Sequence, residues 1–497
     1  MRKESIQVKS LGWGLLRLAA MLCVVAAAGW GAKALDIART PQAVVSVCTF
    51  VGVICTTLLF WTHRVAAAFL GVAVLIGTQA MTLRGMLHAT ELDIIFFLIG
   101  MMIIVGVLKD LGFLTWVIQS VVNKRAMTGW SFTVILCVLS AVLASVMDEV
   151  SSIVVVLALV FQVCDTLKVK PAPFVLIAVL CTNIGSAATM LGNPVGIFIG
   201  NKAGFTFTQF LHEATPIALV ALVAAMGVIL FWFRKPIREM TDRIVLHRQN
   251  HEGLGPAIRI PYRRGLCVLG VTVLIIAFHH QIETALGLTG EANRNAFLIV
   301  TPLIIAGILM ICRPRRARDY VQNDVEWWTL LFFTFLFAIA GSLKEQGITH
   351  NVAAKLSEWV NGEPPAMVPF VLAISAIGSA FVDNIVFVAA FTPVVQLLVS
   401  HSADFSILWW ALLFGACFGG NITVVGSTAN MIAMGLLEKR ARIQIPFREW
   451  ITIGTLIGLI TTLIAWGMLS IMPVQVPGAR ADADVPPADI RPLLSPP

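Results

Sequence analysis

Charged residues are scarce in this sequence. Only 12% of its 497 residues are Asp, Glu, Lys or Arg, whereas 58% are hydrophobic, and the mean hydropathy is +0.88. A typical soluble domain carries about 25% charged residues. The shortage excludes an ordinary soluble protein and predicts an all-α polytopic membrane protein, because a helix needs about 20 apolar residues to cross a bilayer.

Sequence patterns of common enzymes and metal sites are missing as well. There is no Cys-x-x-Cys pair, no His-Glu-x-x-His and no Gly-x-Ser-x-Gly, and the nine cysteines lie in or beside apolar runs. We therefore expect neither an enzyme nor a resident cofactor or metal. The net charge of +8 comes from Lys and Arg in short loops between apolar runs, as in membrane proteins. This pattern predicts a lipid bilayer as a partner and no nucleic acid, and the transporter interpretation below adds a small ion or anion as the substrate.

The apolar stretches predict eleven candidate spans. The first belongs to an N-terminal unit, 1–40, with a basic start followed by an Ala-Lys-Ala step. A cleaved signal peptide is one interpretation, but we expect a retained span because the apolar run exceeds 20 residues. The candidates are 13–35, 43–61, 65–82, 92–115, 173–200, 214–233, 265–283, 296–312, 327–345, 408–437 and 450–472.

Two further apolar segments, 131–160 and 366–400, are predicted to enter the membrane and turn back as re-entrant helical hairpins. With the N-terminus in the cytoplasm, this arrangement puts every strongly basic loop on the cytoplasmic side. It also puts the C-terminal tail, 473–497, outside the cytoplasmic (inner) membrane, and the tail's Pro, Ala and Asp content predicts disorder. The basic loops are 63–64, 123–125, 234–264, 313–319 and 438–449.

Part of the sequence recurs about 235 residues later. Glu91, Lys109, Gly112 and Asp148 match Glu326, Lys344, Gly347 and Asp383 at a constant offset of 235, and the segment 189–192 matches 423–426 at 234. The first copy begins outside and the second inside, so the two copies are predicted to be inverted. Inverted repeats with discontinuous helices are typical of secondary transporters.

The predicted architecture is therefore an N-terminal span followed by two inverted repeats of five spans each. Each repeat has one hairpin and one broken helix, and a basic cytoplasmic linker joins the repeats. The boundaries are 41–233 for the first repeat, with hairpin 131–160 and broken helix 173–200; 234–264 for the linker; and 265–472 for the second repeat, with hairpin 366–400 and broken helix 408–437.

Carboxylates mark the turns of both hairpins. A charge at the centre of a membrane helix costs at least about 2.5 kcal/mol, so Asp148 and Asp383 need a compensating role. They either bind the coupling cation, H⁺ or Na⁺, or cap a half-helix through backbone N–H groups. Glu149 has no acidic counterpart, because Asn384 stands at the matching position. We include Glu149 and Asn384 as candidate site residues.

The broken helices supply the other candidates. Proline disrupts the first helix at Gly192-Asn193-Pro194, and a half-helix N-terminus attracts anions. The second break carries Gly426, Ser427, Thr428 and Asn430, and the amides Asn183 and Asn421 lie nearby. The alternatives are that Gly and Pro are simply frequent in membrane helices and that lone amides join helices. Two interpretations exist for Cys181 and Cys417. Their thiols are either arsenic(III) ligands or, as we prefer, small hydrophobic groups that pack in the interior.

These motifs resemble a known group of transporters. MDEVSSIVVVLALVFQVCDTLKVKPAPF, TNIGSAATMLGNPVGIFIG, FVDNIVFVAAFTPVV and VVGSTAN are similar to the hairpin and broken-helix signatures of the arsenite permease, P-protein and NhaD-type antiporter group. This group belongs to the ion transporter superfamily and carries a citrate-transporter-like domain. The arsenite-permease pattern has Asp-Asn where this chain has Asp148-Glu149, and Gly-Asp-Pro-Pro-Asn at the first break, so the titratable groups differ.

The resemblance implies a homodimer with a scaffold and a mobile unit. We expect a secondary active transporter that moves a small inorganic oxyanion, metalloid or cation by alternating access, coupled to H⁺ or Na⁺. The alternatives are a Na⁺/H⁺ antiporter, a sodium-coupled di- or tricarboxylate symporter of the citrate type and, from another class, an ion channel.

Overall fold

The protein is helical throughout the part that can be described. A computed structural model describes residues 2–122, 127–249, 261–287, 296–359 and 364–471, and these ranges contain helices and connections but no β-strand. The predicted all-α membrane architecture is thus confirmed at this level. The expected disordered tail, 473–497, lies outside the described residues.

The helices up to the basic linker are α1 (Arg2–Ala34), α2 (Pro41–Leu59), α3 (Arg64–Gly77), α4 (Leu83–Ala89), α5 (Leu92–Asp110), α6 (Phe113–Val122), α7 (Gly129–Val146), α8 (Glu149–Leu167), α9 (Ala172–Ser186), α10 (Pro194–Ala203), α11 (Phe207–Gln209) and α12 (Thr215–Trp232). A π-helical segment, Phe210–Ala214, joins α11 to α12. The Thr206 and Gln209 side chains form a capping box at the start of α11.

The remaining helices are α13 (Arg234–Gln249), α14 (Arg263–Ala277), α15 (His279–Ala285), α16 (Ala296–Cys312), α17 (Pro314–Asp319), α18 (Trp327–Glu345), α19 (Ile348–Trp359), α20 (Pro364–Phe381), α21 (Asn384–His401), α22 (Leu408–Gly419), α23 (Thr428–Ala441) and α24 (Phe447–Ile471). A second π-helical segment, Tyr320–Asp324, follows α17.

Fewer helices are long enough to span a membrane than the sequence predicts. Within the described ranges, eight are sufficiently long and apolar, or nine if α14 and α15, bent by 58° relative to each other, form one span. One predicted span, 92–115, divides into α5 and α6. The division falls at Gly112, whose φ of 76° is left-handed backbone that glycine adopts without steric cost.

Helix breaks occur in the predicted hairpins and broken helices. The turn of the first hairpin is Met147-Asp148, between α7 and α8, and that of the second is Val382-Asp383, between α20 and α21. The broken helices are α9 with α10 and α22 with α23. Since α7 and α8 are each long enough to cross a bilayer, their lengths do not by themselves require re-entry.

The centre of the molecule is formed by α9 and α22. Both are buried along nearly their whole length, and α9 packs on α7 as α22 packs on α20. A Cβ atom on Gly185 would collide with the backbone of Ala141, and one on Gly419 with the backbone of Ala376. The two helix pairs therefore cross at matching glycines, with backbone against backbone.

We expect Gly419→Ala to destabilise the protein by about 1–3 kcal/mol, the usual cost of overpacking. The added methyl group has no space beside Ala376. The matched control is Gly435→Ala, on exposed α23 backbone, where a Cβ meets nothing within 4 Å. Thermal unfolding in detergent should show a lower midpoint for Gly419→Ala only. Equal midpoints for both variants would contradict the close crossing.

The predicted basic linker is helical in its first half. Ile237, Met240 and Ile244 in α13 recur at helical spacing and are buried, and the Gly129 backbone N–H donates to Thr241 Oγ1 at 3.0 Å. The linker prediction missed this helix because its many charges masked one apolar stripe. Thus α13 packs on the first helix of the first hairpin.

Candidate functional site

Four helices begin at the breaks, and each is capped by the side chain just before it. The caps are Asp148 Oδ1 accepting from Ser151 N at 2.9 Å, Asn193 Oδ1 from Gly196 N at 2.7 Å, Asp383 Oδ1 from Ile385 N at 3.3 Å, and Ser427 Oγ from Ala429 N at 3.2 Å. The capping interpretation of Asp148 and Asp383 is therefore confirmed. Each helix N-terminus carries partial positive charge.

Side-chain contacts connect the hairpin turns to the second break. Ser427 Oγ donates to Glu149 Oε1 at 3.4 Å, which links the first hairpin to the break between α22 and α23. The Thr428 hydroxyl donates to Asp383 Oδ2, linking the same break to the second hairpin. Glu149 and Asp383 are each 4% exposed and interact electrostatically with each other. The carboxylates that the sequence singles out thus share one buried region.

Two carboxylate oxygens in this region remain without a partner. Asp148 Oδ2 and Glu149 Oε2 are buried and accept no hydrogen bond from any residue that the structure describes. An ionised carboxylate is costly to bury unless it is paired or hydrogen-bonded. These oxygens are therefore suited to a proton or a small cation.

Three buried amides form a cluster beside the carboxylates. Asn183 Nδ2 lies 2.9 Å from Asn421 Oδ1 and 2.9 Å from Asn430 Oδ1. Asn430 Nδ2 donates to two carbonyls that the second break frees, those of Gly420 at 2.8 Å and Thr423 at 2.9 Å. Although Asn183 and Asn421 occupy unmatched positions in the two repeats, the structure brings them together and joins α9 to both parts of the second broken helix.

The remaining predicted polar residues stabilise the breaks from within. Asn193 Nδ2 donates to Ser186 Oγ at 2.9 Å and to Cys417 Sγ at 3.1 Å. Cys417 is thus both buried and a hydrogen-bond acceptor. With its amide nitrogen facing the second break, Asn384 donates to the carbonyls of Gly426 at 2.6 Å and Ala416 at 3.0 Å.

Gly192 and Pro194 shape the first break. A Cβ on Gly192 would collide with the carbonyl oxygen of Ser186, so only glycine lets the chain turn so close to the end of α9. Pro194 occupies the first turn of α10, where its missing N–H costs nothing.

The same contact fastens each broken helix to its neighbouring hairpin. The Thr189 hydroxyl donates to the carbonyl of Ser145, and the Thr423 hydroxyl donates to the carbonyl of Ala380. Both threonines belong to the segments that match at an offset of 234. In each copy, a hairpin and a broken helix are therefore joined at their turns.

Arg64 lies near the site and was not predicted. The sequence places Arg64 in a cytoplasmic loop, but it begins α3 and is only 3% exposed. Its Nη2 donates to Thr329 Oγ1 at 2.9 Å, its guanidinium lies 5.1 Å from the Phe332 ring centroid, and it interacts electrostatically with Asp383. Only its proximity to the buried Asp383 reveals it, because in sequence it resembles an ordinary loop arginine.

The fold and the polar helix breaks together indicate the class of protein. Helices long enough to span a membrane surround two helix breaks whose caps, amides and carboxylates meet in the interior, as in membrane transporters with discontinuous helices. Residues 50–415 match the sequence profile of the CitMHS family, described as citrate transporters. The chain belongs to this citrate transporter family of membrane proteins.

The chain is also similar to individual known proteins. An uncharacterized transporter of Mycobacterium tuberculosis is 30% identical over 414 residues, which are 81% of this chain and 92% of the relative. The human P protein is 26% identical over 486 residues, 83% of this chain and 58% of its own length. The predicted resemblance to the P-protein group is confirmed. The YdaH transporter of Alcanivorax borkumensis has a TM-score of 0.49 and 15% identity, covering 77% of this chain and 85% of its own.

Proposed function

We propose that this protein is a secondary active transporter that couples the movement of a small anion to H⁺ or Na⁺ by alternating access. The observation that carries the proposal is the contact between Ser427 and Glu149, at 3.4 Å. It joins a carboxylate at one hairpin turn to the N-terminus of a half-helix from the other half of the chain. A cation at the carboxylate and an anion at the half-helix would therefore be neighbours.

The carboxylates are assigned to the coupling cation. Glu149 Oε2 and Asp148 Oδ2 have no hydrogen-bond partner among the residues described, so H⁺ or Na⁺ bound there would offset the cost of burying their charge. Arg64 interacts with Asp383 and would compensate the third carboxylate. Cation binding at Glu149 thus changes the net charge of the region that the solute meets.

The solute is assigned to the half-helix ends. The N-termini of α10 and α23 present partial positive charge, and Thr428 and Asn430 lie in the first turn of α23. The family description supports citrate-type carboxylates as one solute class. Small inorganic oxyanions and metalloids share the required hydrogen-bond acceptors.

The repeat supports the alternating-access part of the proposal. The Thr189 and Thr423 hydrogen bonds and the Gly185 and Gly419 crossings are the same contacts made twice. We infer that each subunit contains two inverted copies, each with a re-entrant hairpin, and that the protein is a homodimer in the cytoplasmic (inner) membrane. Two inverted copies supply the two related conformations that open to opposite faces.

Na⁺/H⁺ exchange is the second candidate function. It is favoured by three carboxylates that are buried at the hairpin turns, Asp148, Glu149 and Asp383, which outnumber the one cationic side chain, Arg64, that interacts with them among the described residues. A site of this charge would bind Na⁺ and H⁺ in turn without an anion.

Reconstitution into proteoliposomes that contain a pH-sensitive dye tests both functions. Citrate, arsenite and Na⁺ are added in turn, with and without imposed H⁺ and Na⁺ gradients, and empty liposomes serve as the control. We expect an anion to accumulate against its gradient while the imposed ion gradient dissipates. A dye response to Na⁺ alone would favour the antiporter. Flux that only runs down the solute's own gradient would identify a channel and overturn both functions.

A further inference from the structure

A cleft of about 530 Å³ is lined by residues of α4, α10, α18 and α21 and by Glu91, which directly precedes α5. None of the carboxylates and amides at the helix breaks is among the described residues that line it. Its volume lies within the usual 300–1,000 Å³ of small-molecule sites. The cleft is thus a separate space from the region around Glu149.

Two helices that begin at the breaks nevertheless contribute to the cleft. Its wall includes Lys202 on α10 and Thr392 on α21, each eight residues beyond the first residue of its helix. At 1.5 Å per residue, both lie about 12 Å along the helix axis from the capped N-termini at the breaks. A solute in the cleft would therefore lie beside the end of α10 and the middle of α21, two helices that begin at the proposed transport site.

Lys202 and Glu91, which both line the cleft, form an ion pair with each other. Lys202 Nζ lies 2.6 Å from Glu91 Oε1, and the two side chains are only 26% and 18% exposed. Next to Lys202, Asn201 Nδ2 donates to Asp93 Oδ2 at 2.6 Å. The end of α10 is thus held to the start of α5 by one ion pair and one hydrogen bond. The ammonium group of Lys202 is therefore already paired with the carboxylate of Glu91.

Thr392 supplies an unused hydrogen-bond donor. It is only 2% exposed, lines the cleft, and its Oγ1 has no hydrogen-bond partner in the described part of the chain. A buried hydroxyl without a partner costs about 1–3 kcal/mol, and a bound acceptor would recover that cost. Gln396, one helical turn further on α21, lines the same wall.

We propose that this cleft is an access site for a small di- or tricarboxylate. Lys202 exchanges Glu91 for a carboxylate of the solute, and Thr392 donates a hydrogen bond to it. The inference rests on the proposed transport of a small anion. Glu91 acts as an internal competitor, so the ion pair breaks when the solute arrives and forms again when the solute moves on.

Equilibrium binding of radiolabelled citrate to the purified protein in detergent tests the access site. Lys202→Gln is expected to weaken binding about tenfold, the effect of losing one charge-assisted hydrogen bond. Glu91→Gln is expected to strengthen binding, because it removes the competing carboxylate. Lys33→Gln, on exposed α1 backbone outside the cleft, is the matched control and should bind like the wild type. Thr392→Val keeps the side-chain shape and is expected to weaken binding.

The outcomes separate this inference from the proposed function. Citrate binding by Lys202→Gln that equals the wild type overturns the access site even if the wild type transports citrate. Absence of citrate binding by the wild type also overturns it, whereas ion-coupled transport of another solute would leave the carrier function standing. Citrate binding that depends on Lys202, in a protein that couples no flux to H⁺ or Na⁺, supports the access site and refutes the transporter.

Discussion

Glu149→Gln is expected to reduce ion-driven accumulation of the solute by about 100-fold, which corresponds to a loss near 3 kcal/mol. The amide has nearly the shape of the carboxyl group and still accepts a hydrogen bond from Ser427, but it cannot take up or release a proton. The coupling step should therefore stop, while exchange of internal for external solute continues. Measuring accumulation and exchange in the same proteoliposomes checks both parts.

Glu239→Gln is the matched control for this substitution. Glu239 lies on α13, and its side chain is exposed, so the same change should leave accumulation and exchange as in the wild type. Full accumulation by Glu149→Gln would remove Glu149 from the coupling role. Loss of accumulation and exchange together, in a protein that unfolds at the wild-type temperature, would instead assign Glu149 to solute binding.

Asn430→Ala is expected to abolish transport and to lower stability by about 3 kcal/mol or more. The substitution leaves the carbonyls of Gly420 and Thr423 and the amide of Asn183 without the partner that Asn430 gives them. Each unsatisfied buried group costs about 1–3 kcal/mol. Thermal unfolding in detergent and solute uptake in proteoliposomes measure the two effects.

Asn351→Ala provides a comparison outside the site. Asn351 is partly buried and donates one hydrogen bond, to the Ile37 carbonyl at 2.8 Å, so its loss should cost about 1 kcal/mol and leave transport intact. Asn430→Asp keeps the acceptor oxygen but loses the two donations. If Asn430→Asp transported normally, the break between α22 and α23 would not depend on those hydrogen bonds.

The sequence was most informative where two signals coincided. Scarce charge predicted the membrane class, and Asp148, Asp383 and the glycine- and asparagine-containing breaks stood out because each recurs in the second repeat. The breaks occur as predicted because proline and capping side chains determine them locally. Eight helices in the described ranges are long and apolar enough to span a membrane, against eleven predicted spans, because several predicted apolar runs, such as 173–200 and 408–437, divide into shorter helices that hydropathy alone does not separate.

Pairings between distant parts of the chain escaped sequence reasoning. Arg64 and Asp383 are more than 300 residues apart, and the Glu91–Lys202 ion pair spans more than 100. A lone arginine near the start of an apolar stretch is also typical of a residue that anchors a helix at the membrane surface. The local sequence therefore does not distinguish a buried arginine from a surface one. Likewise, the convergence of Asn183 with Asn430 follows from how the repeats pack against each other, which repeat spacing alone does not give.

The backbone crossings at Gly185 and Gly419 also affect the electrical tightness of the membrane. A Cβ atom at either glycine would collide with the backbone of the facing helix, so no side chain separates the helices along these two lines. We expect such a contact to resist the passage of protons through the wall behind the polar breaks. Because the methyl group of Gly419→Ala would force α22 and α20 apart, we expect this variant, where it still reaches the membrane, to conduct protons passively without any solute present.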